Sequence, residues 1–424
     1  MAPRVSTTST DYDHLYRPWV IRGLNGIGRT VARVGIAPTL DKDKLIATAR
    51  SKTGLKDFGD GDFETPLDVL LDAIKTEARL NTLGQLVQRQ RILSLLMNRL
   101  RAEDLFKRHP EILETELPST VAITGFHRTG TTFLHRLVGA DPKTRSLKTW
   151  EAVNPVPFPK EKRGEGQDRI AQSLRAERGL AFLAPEFFAI HPVETHATEG
   201  EITLLDLAFM SQTAEATSHV PSYSEWLEKQ DHRPAYEYLA KLFKLLHWHT
   251  PAERWVMKTP QHSEHLDALL HAFPHVRVVH THRDPVKAVG SFASWVIHMR
   301  SIFTDHVDPK AAAEHWLNKA KKMAENSTRV RAEQPDDKFM DLHFPNLMKD
   351  PMGEVQRIYT FMGWDLDKQA IDSMEAFREK NRRDKYGRHV YKIEDFGITS
   401  EQVRHELADY IKRYKIAESP EPKK

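Results

Sequence analysis

The segment Gly125-Phe-His-Arg-Thr-Gly-Thr-Thr132 has the spacing of a phosphate-binding loop, G-x-x-x-x-G-K-[ST], with Thr131 where the lysine would stand. Backbone N–H groups at a helix N-terminus lack intrahelical partners and lie at the positive end of the helix dipole. Such a turn therefore cradles an anion whatever its side chains are. The amides of Thr129, Gly130, Thr131 and Thr132 would hold a phosphate, but no ammonium can be placed on a γ-phosphate in the usual way. The cation at hand is Arg128, inside the loop. Two further basic positions follow at the ends of short apolar runs. Lys258 closes Trp255-Val-Met-Lys258, and Arg283 follows Val276-Arg-Val-Val279, with Ser291 eight residues after it.

These groups need a frame. Val121-Ala-Ile-Thr124, Trp255–Met257 and Val276–Val279 read as strands, each followed by a loop and an amphipathic helix. Phe133, Leu134, Leu137 and Val138 follow the first, Leu266, Leu269, Leu270 and Phe273 the second, and Val286, Val289, Phe292 and Val296 the third. That alternation predicts an α/β fold, a P-loop-like three-layer arrangement with a central parallel sheet flanked by helices. Ligands of such folds bind beyond the carboxyl ends of the strands, where all three loops lie. Before Pro118 the chain reads as helical. Leu67, Leu71, Ile74 and Ala78 share one face, and Leu86, Leu93, Leu96 and Leu100 share another. Segments 152–250 and 300–380 read mainly as helix and loop. Thr399 and Gln402 start a closing helix with Val403, Leu407, Tyr410, Ile411 and Tyr414 on its buried side. The expected organisation is a helical N-terminal layer (1–115) packed on a core (116–417), with a disordered tail (418–424).

Composition narrows the classes. Of 424 residues, 40% are hydrophobic and 29% charged, which excludes a disordered or fibrous chain. The net charge of +3 is too balanced for a nucleic-acid binder. The absence of cysteine removes disulfides, thiolate metal sites and a Cys nucleophile. His262-x-x-His265 is not H-E-x-x-H, so no metal is expected. The polar start of the chain is no secretory signal, and nothing resembles an apolar membrane span. A cytoplasmic protein is the expectation.

Taken together, these segments resemble the sulfotransferase superfamily, in a bacterial-type branch related to the tyrosylprotein sulfotransferases. The likeness runs over about residues 50–415. Gly125-x-x-Arg-Thr-Gly-Thr-Thr132 is similar to the family's 5′-phosphosulfate loop. Asp141-Pro and Trp150-Glu-Ala-Val-Asn-Pro-Val-Pro157 follow at that branch's spacing, and Lys258-Thr-Pro-Gln-His262 looks like its K-[ST]-P-x-H segment. Arg283 and Ser291 resemble the 3′-phosphate motif. Tyr386-Gly-Arg-His-Val-Tyr391 with Phe396-Gly397 resembles the C-terminal segment.

The resemblance implies 3′-phosphoadenosine 5′-phosphosulfate as donor and adenosine 3′,5′-bisphosphate as product, with no metal. Arg128 and Lys258 would meet the bridging oxygen and the developing negative charge. A hydroxyl acceptor needs a general base. Glu151 is the first candidate, since it matches the base carboxylate of the tyrosylprotein relatives. Glu199 is second and His262 third. Phe344, in Phe344-Pro-Asn-Leu-Met-Lys-Asp-Pro351, stands where the family often has Tyr near the adenine, so packing remains and a hydroxyl contact is lost. Lys385, Arg388 and His389 could close over the donor, though a solvated charge run explains them equally well.

The acceptor expected is a small-molecule or lipid-like hydroxyl, and oligomeric state is unread. Arg17, Arg22, Arg29 and Arg33 accompany an apolar face of Val20, Leu24, Ile27, Val31 and Val34. Residues 17–34 could therefore touch the inner membrane surface peripherally. Gly23, Gly26 and Gly28 weaken such a helix, and packing on the core is the favoured reading. Two rival classes are a P-loop-type nucleotide kinase or NTPase and a non-catalytic nucleotide-binding module. Thr131 and the lack of a convincing Mg²⁺ carboxylate argue against the first. Retention of Arg128 and Lys258 argues against the second.

Overall fold

The computed structural model describes residues 19–32, 39–183, 193–381 and 391–419. Five strands form one parallel sheet: β1 (Ser119–Gly125), β2 (Thr144–Arg145), β3 (Arg254–Lys258), β4 (Arg277–His282) and β5 (Phe339–His343). Their order is β2-β3-β1-β4-β5. β1 is buried throughout after Ser119, as befits the central strand of a sheet covered on both faces. The register sets Ile123 opposite Lys258 and Gly125 opposite Thr281. The phosphate loop, Lys258 and Arg283 thus leave the sheet at one edge. From β1 the chain runs out to β2, returns through β3 and crosses to β4 on the other side. Strand order reverses at β1, which is where open α/β sheets place their ligands.

The three expected strands are present and somewhat longer than the apolar runs that announce them. Two strands were not expected. β5 alternates half-buried and buried residues around Asp341, and a polar residue at its centre masks the strand pattern. β2 is two residues long, too short to leave a periodic signal.

The long helices before β1 are α1 (Trp19–Ala32), α2 (Lys42–Thr53), α3 (Glu64–Thr76) and α4 (Thr82–Arg108). Asn81 caps α4 by accepting from the Gly84 amide at 2.9 Å. Leu67, Leu71, Ile74, Leu93, Leu96 and Leu100 are buried, in one cluster that extends to Trp255 and Val278 of the sheet. Each such burial contributes about 1.5–3 kcal/mol. Leu86, expected on the same stripe, is exposed. The start of α4 is covered along Leu83, Gly84 and Gln88 instead, because Gly84 packs on the Phe303 backbone.

α1 also differs from its expected face. Ile21 and Asn25 are buried, and Asn25 accepts from the Leu83 amide at 3.1 Å, while Val20 is exposed. Leu24 is half-buried. The side chains of Ile27 and Val31, and Val34 itself, lie outside the described residues. At the other end Thr399 caps its helix by accepting from the Gln402 amide at 3.1 Å. The closing helix is two helices, Ser400–Glu406 and Ala408–Arg413, broken at Leu407. Val403, Leu407, Tyr410 and Tyr414 are buried as expected. Among the described residues, no helix is long and apolar enough to cross a membrane.

Candidate active site

The loop after β1 needs backbone conformations that ordinary residues avoid. Gly125 has φ 139° and Gly130 has φ 93°, and Arg128 itself sits at φ 67°. A β-carbon on Gly125 would land on the carbonyl oxygen of Thr281, and one on Gly130 would lie 3.0 Å from the Phe344 ring. Gly130 caps the Thr131–Val138 helix, whose first-turn amides face away from the helix body. Thr129 is fully buried. Its hydroxyl donates to Phe126 O at 2.7 Å and lies 2.6 Å from Thr281 Oγ1, which ties the loop to β4. The Thr129 side chain is therefore structural.

Four of the expected donor-site residues meet. Arg128 Nε donates to Ser291 Oγ at 3.2 Å, and Arg283 donates to the Arg128 carbonyl at 2.7 Å. The Arg283 guanidinium lies 4.3 Å from the centre of the Phe344 ring. Burial, and next the charge of Arg283, lower the Arg128 pKa. Among the described residues Arg128 makes no ion pair. Two like charges thus lie close together in a half-buried spot that favours an anion.

Lys258 lies at the end of β3, held from behind. Its amide donates to Glu201 Oε2 at 2.8 Å, and Glu201 Oε1 pairs with His262 Nε2 at 2.7 Å. The Tyr236 hydroxyl lies 3.0 Å from His262 Nδ1. Glu201, His262 and Tyr236 are all fully buried. His262 thus has both ring nitrogens engaged beneath Lys258 and does not line the cavity. In front, Glu199 Oε1 is 3.9 Å from Lys258 Nζ, and both line the cavity. Gly200 lets the two approach, because a β-carbon there would collide with Lys258.

Glu151 does not reach the cavity. One oxygen accepts from the Lys148 amide at 3.0 Å and the other pairs with Arg145, and the side chain is 5% exposed. It caps the Thr149–Val153 helix, whose neighbours Thr149, Ala152 and Val153 line the cavity instead. Lys385, Arg388 and His389 lie outside the described residues.

The cavity has a volume of about 830 Å³ and two unlike arms. Arg128, Thr131, Arg283 and Phe344 line one. Ala216, Phe292, Trp295 and Trp316, which pack together, line the other, which is mainly apolar. His127 stands among these rings, stacked on Phe292 at 3.7 Å and edge-on to Trp316 at 5.2 Å. Burial, with the charges of Lys258 and Arg128, pushes its pKa down to about 3, so it is neutral. Sequence reasoning missed His127 because nothing in its type or spacing distinguishes it within the loop. It also missed Ala216, on the five-residue helix Thr213–Thr217, which is too short to leave a periodic signal. Its helix is anchored from below, where buried Lys319 meets Glu215, Glu264 and Glu228 at 3.3, 3.0 and 3.2 Å.

His280, His282 and Asp341 could together offer three metal-ligating atoms. A fixed cation already answers them. Arg331 donates to both Asp341 oxygens at 2.6 and 3.0 Å, and its NH1 lies 3.2 Å from His280 Nδ1. The Tyr410 hydroxyl lies 2.8 Å from His282 Nδ1, so this group binds the C-terminal helices to the sheet beside Arg283.

A P-loop-like turn without its lysine, facing a strand-borne lysine and an apolar arm, belongs to an enzyme that transfers an anionic group. Residues 118–368, more than half of the chain, match the sulfotransferase family, and the chain belongs to it. Over 321 residues it is 24% identical to the omega-hydroxy-beta-dihydromenaquinone-9 sulfotransferase of Mycobacterium bovis, covering 71% of this chain and 76% of that one. The Mycobacterium tuberculosis protein of the same name matches equally. Among solved structures, sulfotransferase STF1 of Mycobacterium tuberculosis H37Rv superposes with a TM-score of 0.76 at 30% identity, over 88% of this chain and 98% of that one. STF9 of Mycobacterium avium superposes at 0.81 with 23% identity, over 88% and 97%, a likeness of fold. The protein is a sulfotransferase, not a P-loop kinase.

Proposed function

We propose that the protein moves a sulfonate group from 3′-phosphoadenosine 5′-phosphosulfate to a hydroxyl of a lipid-like acceptor. The single observation that carries the donor assignment is the approach of Arg283 to the Arg128 carbonyl beside Ser291, with no ion pair for Arg128 among the described residues. A 3′-phosphate would accept from both guanidinium groups and the hydroxyl there. The amides of Gly130, Thr131 and Thr132 would take the 5′ end, and Phe344 offers a face for the adenine.

Sulfonate transfer resembles phosphoryl transfer in relying on position and charge stabilisation. Lys258 is placed to neutralise charge developing on the bridging oxygen. Of the three carboxylate and imidazole candidates, Glu199 has the geometry of the general base, because it lines the cavity beside Lys258. The acceptor hydroxyl gives its proton to Glu199 as its oxygen bonds to sulfur. The bond from sulfur to the 5′-phosphate oxygen breaks, and adenosine 3′,5′-bisphosphate leaves. The apolar arm supports an acceptor with a substantial hydrocarbon part, in keeping with the menaquinone-derived acceptor named for the mycobacterial relatives.

The test is transfer of labelled sulfonate from the donor to long-chain prenyl or alkyl alcohols. Labelled product is expected with these and little with short, polar alcohols. Transfer to polar acceptors alone would overturn the acceptor reading. A thermal shift with ATP–Mg²⁺ and none with adenosine 3′,5′-bisphosphate would overturn the donor reading.

A further inference from the structure

The helix Gln167–Leu183 has two faces with unlike tasks. Leu180, on its inner side, lines the cavity. Glu177 also turns inward, accepting from the Thr195 amide at 2.7 Å. Arg175, Arg178 and Phe182, spaced by three and four residues, share the outer face. Both arginines are exposed and make no ion pair among the described residues, and Phe182 is 58% exposed. Asp168 is also exposed, but it lies two turns away at the other end of the helix.

The same helix adjoins the way into the cavity. The Thr149–Val153 helix packs against it near its start, where Trp150 meets Gly166 and Arg169. Among the described residues that line the cavity, Val153 alone is exposed, at 43%, so it marks the rim. An exposed phenyl ring beside two exposed guanidinium groups that make no ion pair among the described residues, on a helix that lines an apolar cavity, has the chemistry of an interfacial membrane contact.

We infer that the outer face of Gln167–Leu183 docks on an anionic lipid bilayer, so that a lipid acceptor passes from the membrane over Val153 and Leu180 into the apolar arm. The arginines meet lipid phosphates and Phe182 enters the acyl boundary. The inference rests on the lipid-like acceptor proposed above, but its test needs neither donor nor acceptor, so the two can fail separately.

Flotation of the full chain with vesicles is the test. Wild type is expected to float with phosphatidylglycerol–phosphatidylcholine vesicles at low salt, and not with phosphatidylcholine alone. The pair Arg175→Glu/Arg178→Glu should partition at least roughly 30-fold less, since losing each basic residue near a charged bilayer removes about a factor of five and the new carboxylates add repulsion. Phe182→Ser should partition several-fold less. Both should keep the wild-type unfolding midpoint and affinity for adenosine 3′,5′-bisphosphate. If the charge reversal does not fold, Arg175→Gln/Arg178→Gln replaces it with the same direction expected. Failure of wild type to float with anionic vesicles, flotation of the variants like wild type, or loss confined to Trp19→Ser on α1 would each overturn the proposal.

Discussion

The Arg128 guanidinium, in the loop after β1, donates to the Ser291 hydroxyl at 3.2 Å across 163 residues of chain. That bond ties the amide-lined turn to the helix after β4, Pro285–Phe303. Replacing either partner should therefore affect donor binding and little else. Ser291→Ala should weaken binding of adenosine 3′,5′-bisphosphate by about tenfold, and Arg128→Ala by roughly 10- to 150-fold, as expected for hydrogen bonds to charged groups. Calorimetric titration reads both, and unchanged affinity in Arg128→Ala would refute the assignment.

Glu199 and Glu151 make a contrasting pair. Glu199→Gln should lower kcat by about 10²–10⁴-fold with donor affinity kept, as for loss of a general base. Glu151→Gln should instead lower stability, because it leaves Arg145 buried without its partner, a change costing about 3–5 kcal/mol. Denaturant midpoints and turnover measured together separate the two roles. A stable Glu151→Gln protein with abolished turnover would return the base to Glu151.

Acid should unfold the protein early. His135, His265 and His280 are buried, and desolvation holds each well below its usual pKa of 6.5, with His232 pushed down to about 4. A depressed folded pKa means that the unfolded chain binds the proton more readily. This stabilisation is complete above about pH 6.5 and is lost progressively as pH falls toward 4. Midpoints followed across that range should decline steadily. A flat profile down to pH 4 would contradict the neutral, buried state of these rings.

How much of this was legible beforehand follows from what each feature requires. β1, β3 and β4 are buried on both faces, so their apolar runs announce them. Asp341 hides β5, because the carboxylate that Arg331 holds looks like a loop residue. Gly125, Arg128, Arg283 and Ser291 stood out through the family motifs they resemble, which fix residue type and spacing. The base did not. Glu151, Glu199 and His262 are alike as candidates in sequence, and only burial and partners distinguish a cavity carboxylate from a helix cap and a scaffold imidazole. The apolar arm draws on residues from 127 to 316, and no local pattern connects them.

Gly125 tests the loop itself. Gly125→Ala should impair both folding yield and donor binding, because φ 139° disfavours a side chain and Thr281 O occupies its place. The unfolding midpoint and product affinity would fall together. A variant with normal values for both would show that the turn relaxes without cost.

The most direct measurement compares two ligands on two proteins. Adenosine 3′,5′-bisphosphate and adenosine 5′-phosphate, titrated against wild type and Arg283→Ala, ask whether this guanidinium reads the 3′-phosphate. The variant should lose affinity for the bisphosphate, by roughly 10- to 150-fold, and bind the monophosphate as wild type does. Equal losses for both ligands would contradict the claim that β4 holds the 3′ end while the loop after β1 holds the 5′ end.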